Sequence, residues 1–292
     1  MGIQKTVKFF VLGLAKRFMA DDVSALAAET TYYLILGLVP FMIFLVNAIL
    51  FFMAPQISVV MQLLSYLPSD FAVALEGYVY RIIAGRSSIW LVLGLVAALW
   101  SGAQGIDVVI RSTDKAMSND RNRQSWITVK AKSLLFTLLI VFAMVLSLGI
   151  TVFGNAVVYA LDYYFTLPSM FLHTWNMLKY AVPFLTLVLS LAVFYRYATH
   201  RYRTKWGRAF TASVLVTAVW LLLTGGYSYY ILNLSSMGLT YGSLIGLLVL
   251  FIWFHLAAMV IIMGGEFIAT WKDYDRFMHP VLRKPAAENG NG

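Results

Sequence analysis

Six long apolar stretches constrain the fold of this chain more than any other feature. They cover about residues 31–54, 88–110, 133–160, 177–198, 209–232 and 241–271. A helix needs roughly 20 mostly apolar residues to cross the hydrocarbon core of a bilayer, and each stretch is long enough. Hydrophobic residues make up 61% of the chain and charged residues only 12%, whereas charged residues are about a quarter of a soluble domain. The sequence therefore predicts an all-α integral membrane protein, a bundle of six transmembrane helices.

The segments outside these spans predict one membrane domain with a short tail. We place residues 1–278 in a single six-span domain, and the small polar residues of 279–292 predict a disordered cytoplasmic tail. At the N-terminus, apolar residues at helical spacing are accompanied by lysines, which is typical of a helix lying in the membrane interface. Residues 56–87 are too polar to span and predict short amphipathic helices on the extracytoplasmic face, between spans 1 and 2.

The distribution of positive charge predicts the orientation of the chain. Of the 22 lysines and arginines, 19 lie before the first span, between spans 2 and 3, between spans 4 and 5, or after span 6. Lysine and arginine are concentrated in the cytoplasmic loops of membrane proteins, so both termini are predicted to be cytoplasmic. Orientation and attraction to anionic lipid headgroups also account for the net charge of +9. We therefore expect membrane lipids as partners and no binding of nucleic acid.

Three acidic residues lie within or at the edge of the spans, near the predicted cytoplasmic side: Glu29, Asp107 and Glu266. A charge in a bilayer is costly and marks a candidate functional site. Arg111 follows Asp107 by four residues on the same helical face, so it is the expected partner. Two interpretations stay open, namely ion pairs that fix helix packing and a polar cavity open to the cytoplasm. The candidate cavity residues are Glu29, Thr30, Thr31, Gln104, Asp107, Arg111 and Glu266.

Proline and glycine residues predict a bend and a close helix contact. Pro40 removes one backbone hydrogen bond from the first span, and Gly37 lies beside the gap, so we expect a kink there. The kink is either a static bend or a hinge. Gly94, Ala98 and Gly102 form a stripe of small residues on the second span, and such stripes allow helices to approach closely.

The sequence contains no constellation that indicates catalysis. The four histidines are scattered, without an HxH or HExxH pattern, and there is no cysteine. Phosphate-binding and nucleophile-elbow motifs are also absent. We therefore expect no catalytic, metal-binding or cofactor-binding residues, and no enzymatic activity.

Several short motifs together resemble one family. They are ETTYYLILGLVPF at 29–41, LWSGAQG at 99–105, RYRTKW at 201–206, YGSLIG at 241–246 and GGE at 264–266. This combination is similar to the YihY/BrkB family of bacterial multi-pass membrane proteins, once labelled ribonuclease BN. The likeness extends from about residue 18 to residue 278. It implies a six-span α-helical protein of the bacterial cytoplasmic (inner) membrane.

The leading functional hypothesis is transport of a lipid-like or amphiphilic envelope molecule. It depends on the three carboxylates, the predicted kink and the expected cavity, and family members are suspected of moving such molecules. The alternative is a non-transporting membrane scaffold or regulator that acts through its basic cytoplasmic loops.

Overall fold

The computed structural model describes residues 3–53, 77, 88–117, 125–165, 168–199, 204–233 and 243–278. Within these ranges the chain forms seven long α-helices and no β-strand. They are α1 (Ile3–Ala20), α2 (Val23–Met53), α3 (Ser88–Met117), α4 (Trp126–Phe165), α5 (Ser169–Tyr197), α6 (Trp206–Asn233) and α7 (Ser243–Met278). The predicted all-α class is confirmed. The predicted helices of 56–87 and the tail of 279–292 lie outside the described residues.

Six helices in the described part of the chain, α2 to α7, are long and apolar enough to cross a membrane. The qualifying segments are Val23–Ala48, Ile89–Met117, Trp126–Ser147, Ser169–Tyr197, Trp206–Ile231 and Gly246–Met278. The first begins eight residues before the predicted start at 31, and Val23 and Ala27 in this added part are fully buried in the core. The second continues past the predicted end at 110, and Arg111 and Lys115 in this added part form ion pairs.

The helices belong to two compact units. The larger unit comprises Met1–Thr31 and Ile106–Gly292, and the smaller unit comprises Tyr32–Gly105. Helices α2 and α3 each begin in one unit and end in the other. The single domain predicted for residues 1–278 stays a prediction.

In the larger unit, α4 packs on α5, α5 on α6 and α6 on α7. Their described buried side chains lie mainly in the N-terminal halves of α4 and α6 and in the C-terminal halves of α5 and α7, as Phe136, Ala212, Tyr195 and Ile268 illustrate. These halves meet because successive helices run up and down. The core of the unit therefore lies at one end of the helices, which is the end predicted to be cytoplasmic.

Helix α1 packs on the C-terminal part of α7. The Thr6 hydroxyl lies 3.3 Å from the Tyr274 hydroxyl, Phe10 contacts Trp271, and Arg17 contacts Glu266. The two helices run antiparallel, since the contacts advance along α1 and recede along α7. The predicted N-terminal helix is present, and its position in the membrane interface stays a prediction.

In the smaller unit, α2 and α3 approach closely at small residues. A Cβ atom added to Gly94 would lie 2.9 Å from the backbone nitrogen of Phe44, so the predicted close contact at this stripe is confirmed. Ser101 donates a hydrogen bond to the carbonyl of Tyr33 at 3.3 Å. Helix α2 continues through Pro40, and the kink at Gly37 and Pro40 stays a prediction.

Helices α5, α6 and α7 approach one another closely at Gly264. The buried Tyr195 hydroxyl donates a hydrogen bond to the carbonyl of Ile261 at 2.6 Å. A Cβ atom added to Gly264 would overlap this hydroxyl and would lie 2.6 Å from Cγ2 of Val216. Only glycine therefore leaves room for the tyrosine to reach the α7 backbone.

We expect Gly264→Ala to lower the free energy of unfolding by about 1–3 kcal/mol, the usual effect of overpacking a core. Thermal unfolding of the purified protein in detergent micelles measures this change. Gly225→Ala is the matched control, because a Cβ atom there meets nothing within 4 Å. Equal stability of the two variants would contradict the proposed packing.

Candidate functional site

Charged side chains from five helices and from the turn after α1 form two clusters at the well-packed end of the larger unit. We call them the Asp107 cluster (Glu29, Asp107, Arg111 and Lys130) and the Arg17 cluster (Arg17, Asp21, Lys115, Glu266 and Asp273). Helix α3 contributes to both, because Asp107, Arg111 and Lys115 recur every four residues and lie along one side of the helix.

The Asp107 cluster joins α2, α3 and α4. One carboxylate oxygen of Asp107 accepts from Nε of Arg111 at 3.2 Å, as the four-residue spacing predicts, and the other accepts from Nζ of Lys130 at 2.6 Å. Nη2 of Arg111 also donates to Glu29 at 3.1 Å. Asp107 is buried, whereas the side chains of Arg111 and Glu29 are half-exposed. The buried carboxylate therefore has two cationic partners, one of them on a different helix.

The Arg17 cluster joins α1, α3 and α7. Arg17 binds the carboxylates of Asp273 at 2.6 Å and Glu266 at 3.3 Å, and Nζ of Lys115 forms an ion pair with Asp21 at 3.3 Å. Glu266 is only 1% exposed. A buried carboxylate is tolerated when it is paired and hydrogen-bonded, and the guanidinium of Arg17 supplies that pairing from another helix.

The environment of Arg17 favours its charged form. Burial by itself lowers the pKa of the guanidinium, but the hydrogen bonds and charges of Asp273 and Glu266 outweigh burial and raise the pKa above its ordinary value. Arg17 therefore stays a cation under all physiological conditions, and its attachment to the two carboxylates persists.

Glu266 reaches this position because two glycines precede it in the GGE motif. Gly264 admits Tyr195, as described above, and a Cβ atom on Gly265 would lie 3.0 Å from Oγ1 of Thr113. The two glycines bring α7 close to α5 and α3. The carboxylate that follows them is thereby buried beside the end of α3, within reach of Arg17.

Two cations of the same region cap the C-terminus of α3. Lys272 donates to the carbonyl of Met117 at 2.7 Å, and Arg17 makes a long contact of 3.4 Å with the carbonyl of Ala116. The last carbonyls of a helix have no partner within the helix, and the negative end of its dipole attracts cations. Lys272 and Arg17 therefore stabilise the end of α3 in two ways, by contacting its unpaired carbonyls and by placing positive charge at the negative end of its dipole.

The structure separates the predicted site residues into groups. Glu29, Asp107 and Arg111 come together, whereas Glu266 belongs to the other cluster. The hydroxyls of Thr30 and Thr31 donate to the carbonyls of Leu26 and Ala27 in their own helix. Gln104, Gly37 and Pro40 belong to the smaller unit. The cavity predicted for these residues stays a prediction.

Five residues of the two clusters were not predicted from the sequence as site residues: Arg17, Asp21, Lys115, Lys130 and Asp273. The spacing of Arg17 and Asp21, and of Arg111 and Lys115, could have marked them as residues on one helical face. Arg17 and Glu266 are 249 residues apart, and no local pattern announces such a pair. Within the described ranges, no group of three or more potential metal-ligating side chains is present.

Comparison with known proteins shows the family. The virulence factor BrkB family matches residues 14–287. The chain belongs to this family. The match includes both clusters and all six candidate spans of the chain, so the resemblance noted in the sequence motifs is confirmed. No solved structure matches the chain significantly.

Several bacterial relatives resemble this BrkB family member over most of its length. Ribonuclease-like protein YfkH of Bacillus subtilis is 27% identical over 257 residues, which cover 88% of this chain and 93% of YfkH. A UPF0761 membrane protein of Alteromonas mediterranea is 25% identical over 263 residues, which cover 87% of this chain and 85% of that protein. A UPF0761 membrane protein of Aeromonas salmonicida is 26% identical over 273 residues, which cover 89% of this chain and 88% of that protein.

We expect Arg17→Gln to lower the free energy of unfolding by about 3–5 kcal/mol, because it leaves the buried carboxylate of Glu266 without its cation. Adding Glu266→Gln should restore part of that loss, since the double variant has no unpaired charge at this point. Thermal unfolding of the two single variants and the double variant gives the coupling energy.

The control for this cycle is Arg111→Gln. The side chain of Arg111 is half-exposed, and its removal leaves Asp107 paired with Lys130. The expected change in the free energy of unfolding is therefore about 0–1 kcal/mol. Additive effects of Arg17→Gln and Glu266→Gln would show that the two side chains do not interact.

Proposed function

We propose that this BrkB family member is a transporter of a lipid-like or amphiphilic envelope molecule, and that it is not an enzyme. We further propose that it lies in the bacterial cytoplasmic (inner) membrane with both termini in the cytoplasm. The observation that carries the proposal is the burial of two ion-paired carboxylates, Asp107 and Glu266, between helices at one end of the larger unit.

Ion pairs between separate helices suit a gate. Charged groups within membrane-spanning helices are costly and are typically retained for function. Alternating access requires contacts at one end of a helical unit that can form and break. The two clusters join α1, α2, α4 and α7 to the same side of α3, so breaking them would release several helices together. In this proposal the structure represents the state closed on the cytoplasmic side.

The opposite half of the larger unit offers apolar surface. Leu222, Tyr229 and Leu248 are exposed there, between 60% and 76%. Such side chains fit contact with acyl chains, which supports an amphiphilic substrate and membrane lipids as partners.

The orientation and the absence of catalysis are supported by separate observations. Most of the lysines and arginines that the structure describes lie at the end where both clusters lie, in agreement with a cytoplasmic location. In the two clusters each carboxylate is engaged by lysine or arginine, which fits attachment or gating better than the role of a general base.

The same pairing favours a second candidate, a non-transporting scaffold or regulator. Clusters in which every carboxylate is paired with a cation can serve only to stabilise the packing of the helices. The basic cytoplasmic loops would then be the functional surface, and neutralising a cluster would change stability without changing any movement of lipid.

Purified protein in liposomes with fluorescent phospholipids tests the proposal. We expect wild-type protein to move labelled lipid between leaflets. We expect Glu266→Gln to change the rate about tenfold, which corresponds to a difference of about 1.4 kcal/mol in the barrier. Arg276→Gln is the control, because this side chain is 65% exposed and makes only a 3.9 Å contact with Asp273.

No movement by wild-type protein across a broad panel of phospholipids and other amphiphiles would overturn the transport proposal. Stable protein partners in a pull-down, unaffected by Glu266→Gln, would then favour the scaffold.

A further inference from the structure

Helix α1 has two different faces. Phe9, Phe10 and Arg17 lie on the face that packs on α7. The opposite face is exposed and carries both large apolar side chains and lysines. Its members are Lys5, Val7, Lys8, Val11, Leu12, Lys16, Phe18 and Met19.

The apolar part of this free face forms a continuous strip. At about 100° per residue, Val7, Val11 and Phe18 lie close together around the helix, and each is at least 36% exposed. Residues Gln4, Val7, Lys8, Val11 and Leu12 line a shallow open depression on the same face. A strip of this kind is too small to be a core, and it suits shallow burial in the headgroup and upper acyl region of a bilayer.

The charged part of the free face is purely basic. The sequence of α1 contains no aspartate or glutamate. Arg17 is committed to Glu266 and Asp273. Lys5, Lys8 and Lys16 are exposed, and among the described residues none of them has an ion-pair partner. The face therefore presents three exposed ammonium groups beside the apolar strip, which is complementary to a surface of anionic headgroups.

Docking on α7 fixes which face is free. Gly13 allows α1 to lie against Thr270, and Arg17 holds the end of α1 at Glu266. Because α1 cannot rotate without breaking these contacts, the lysines and the apolar strip stay turned away from α7. A two-residue turn joins α1 to α2, and its Asp22 has a left-handed φ of 52°, which aspartate tolerates better than most residues.

We infer that the free face of α1 is a binding surface for anionic phospholipid at the cytoplasmic side of the membrane. The apolar strip enters the interface, and the lysines gather anionic headgroups around the end of α7. This inference deepens the partner part of the proposed function and rests on the proposed orientation, but it does not require transport.

The chain contains no cysteine, so one fluorophore can be placed at will. Val11→Cys labelled with bimane is reconstituted in vesicles that contain phosphatidylcholine and phosphatidylglycerol, with bromine on the acyl chains of one lipid or the other. Bromine quenches bimane on contact. We expect quenching by both lipids, and stronger quenching by brominated phosphatidylglycerol at equal mole fraction.

Leu222→Cys labelled in the same way is the control, because this residue is 76% exposed on α6 and lies far along the chain from the α1 lysines. We expect both brominated lipids to quench it equally. Changing Lys5, Lys8 and Lys16 to Gln should remove the preference at position 11, each lysine accounting for up to about fivefold. High salt should weaken the preference in the unmodified background, which provides a test if the triple variant does not fold.

Two results would overturn the inference. If neither lipid quenches the label at position 11, the face does not contact the bilayer: it is exposed to water, or it is covered by another protein or by a second copy of the chain. If both lipids quench it equally, the lysines do not select anionic headgroups. Neither result depends on a transport assay, so failure of this inference and failure of the transport proposal are distinguishable.

Discussion

The burial of a carboxylate beside Arg17 is the interaction on which the charged end of the larger unit depends. Glu266 is almost completely removed from solvent, and a carboxylate in that position is strongly destabilising unless a cation accompanies it. Arg17 supplies the cation from α1, and it also binds Asp273 and reaches the end of α3. One guanidinium thus connects the first helix, the last helix and α3.

Backbone geometry makes that ion pair possible. Gly264 and Gly265 remove the side chains that would hold α7 away from Tyr195 and Thr113, and the buried glutamate follows directly. The GGE motif therefore combines close packing and charge in three consecutive residues. The Asp107 cluster repeats the principle on the other part of α3, where one buried carboxylate is shared between its own helix and α4.

The sequence predicts the helices well because long apolar stretches are local and self-sufficient in a membrane. It also predicts the pair of Asp107 and Arg111, which is set by helical spacing. It does not predict that Glu266 pairs with Arg17, or Asp107 with Lys130, because those contacts depend on how helices pack. For the same reason, Glu29 and Glu266 share a predicted membrane side but belong to different clusters. The spacing of apolar residues and lysines predicts the N-terminal helix, whereas its docking on α7 depends on how the helices pack and is not predicted.

A disulfide between α1 and α7 would test directly whether the two helices pack as the Arg17–Glu266 pair requires. With Gly13→Cys and Thr270→Cys, the two Cβ atoms would lie 4.0 Å apart, within the range for a disulfide, and no native cysteine competes. We expect rapid oxidative cross-linking of this pair in membranes, and little for Leu12→Cys with Thr270→Cys, because Leu12 lies on the free face. Absence of the first cross-link, or equal cross-linking of both pairs, would contradict the docking of α1 on which the Arg17–Glu266 pair depends.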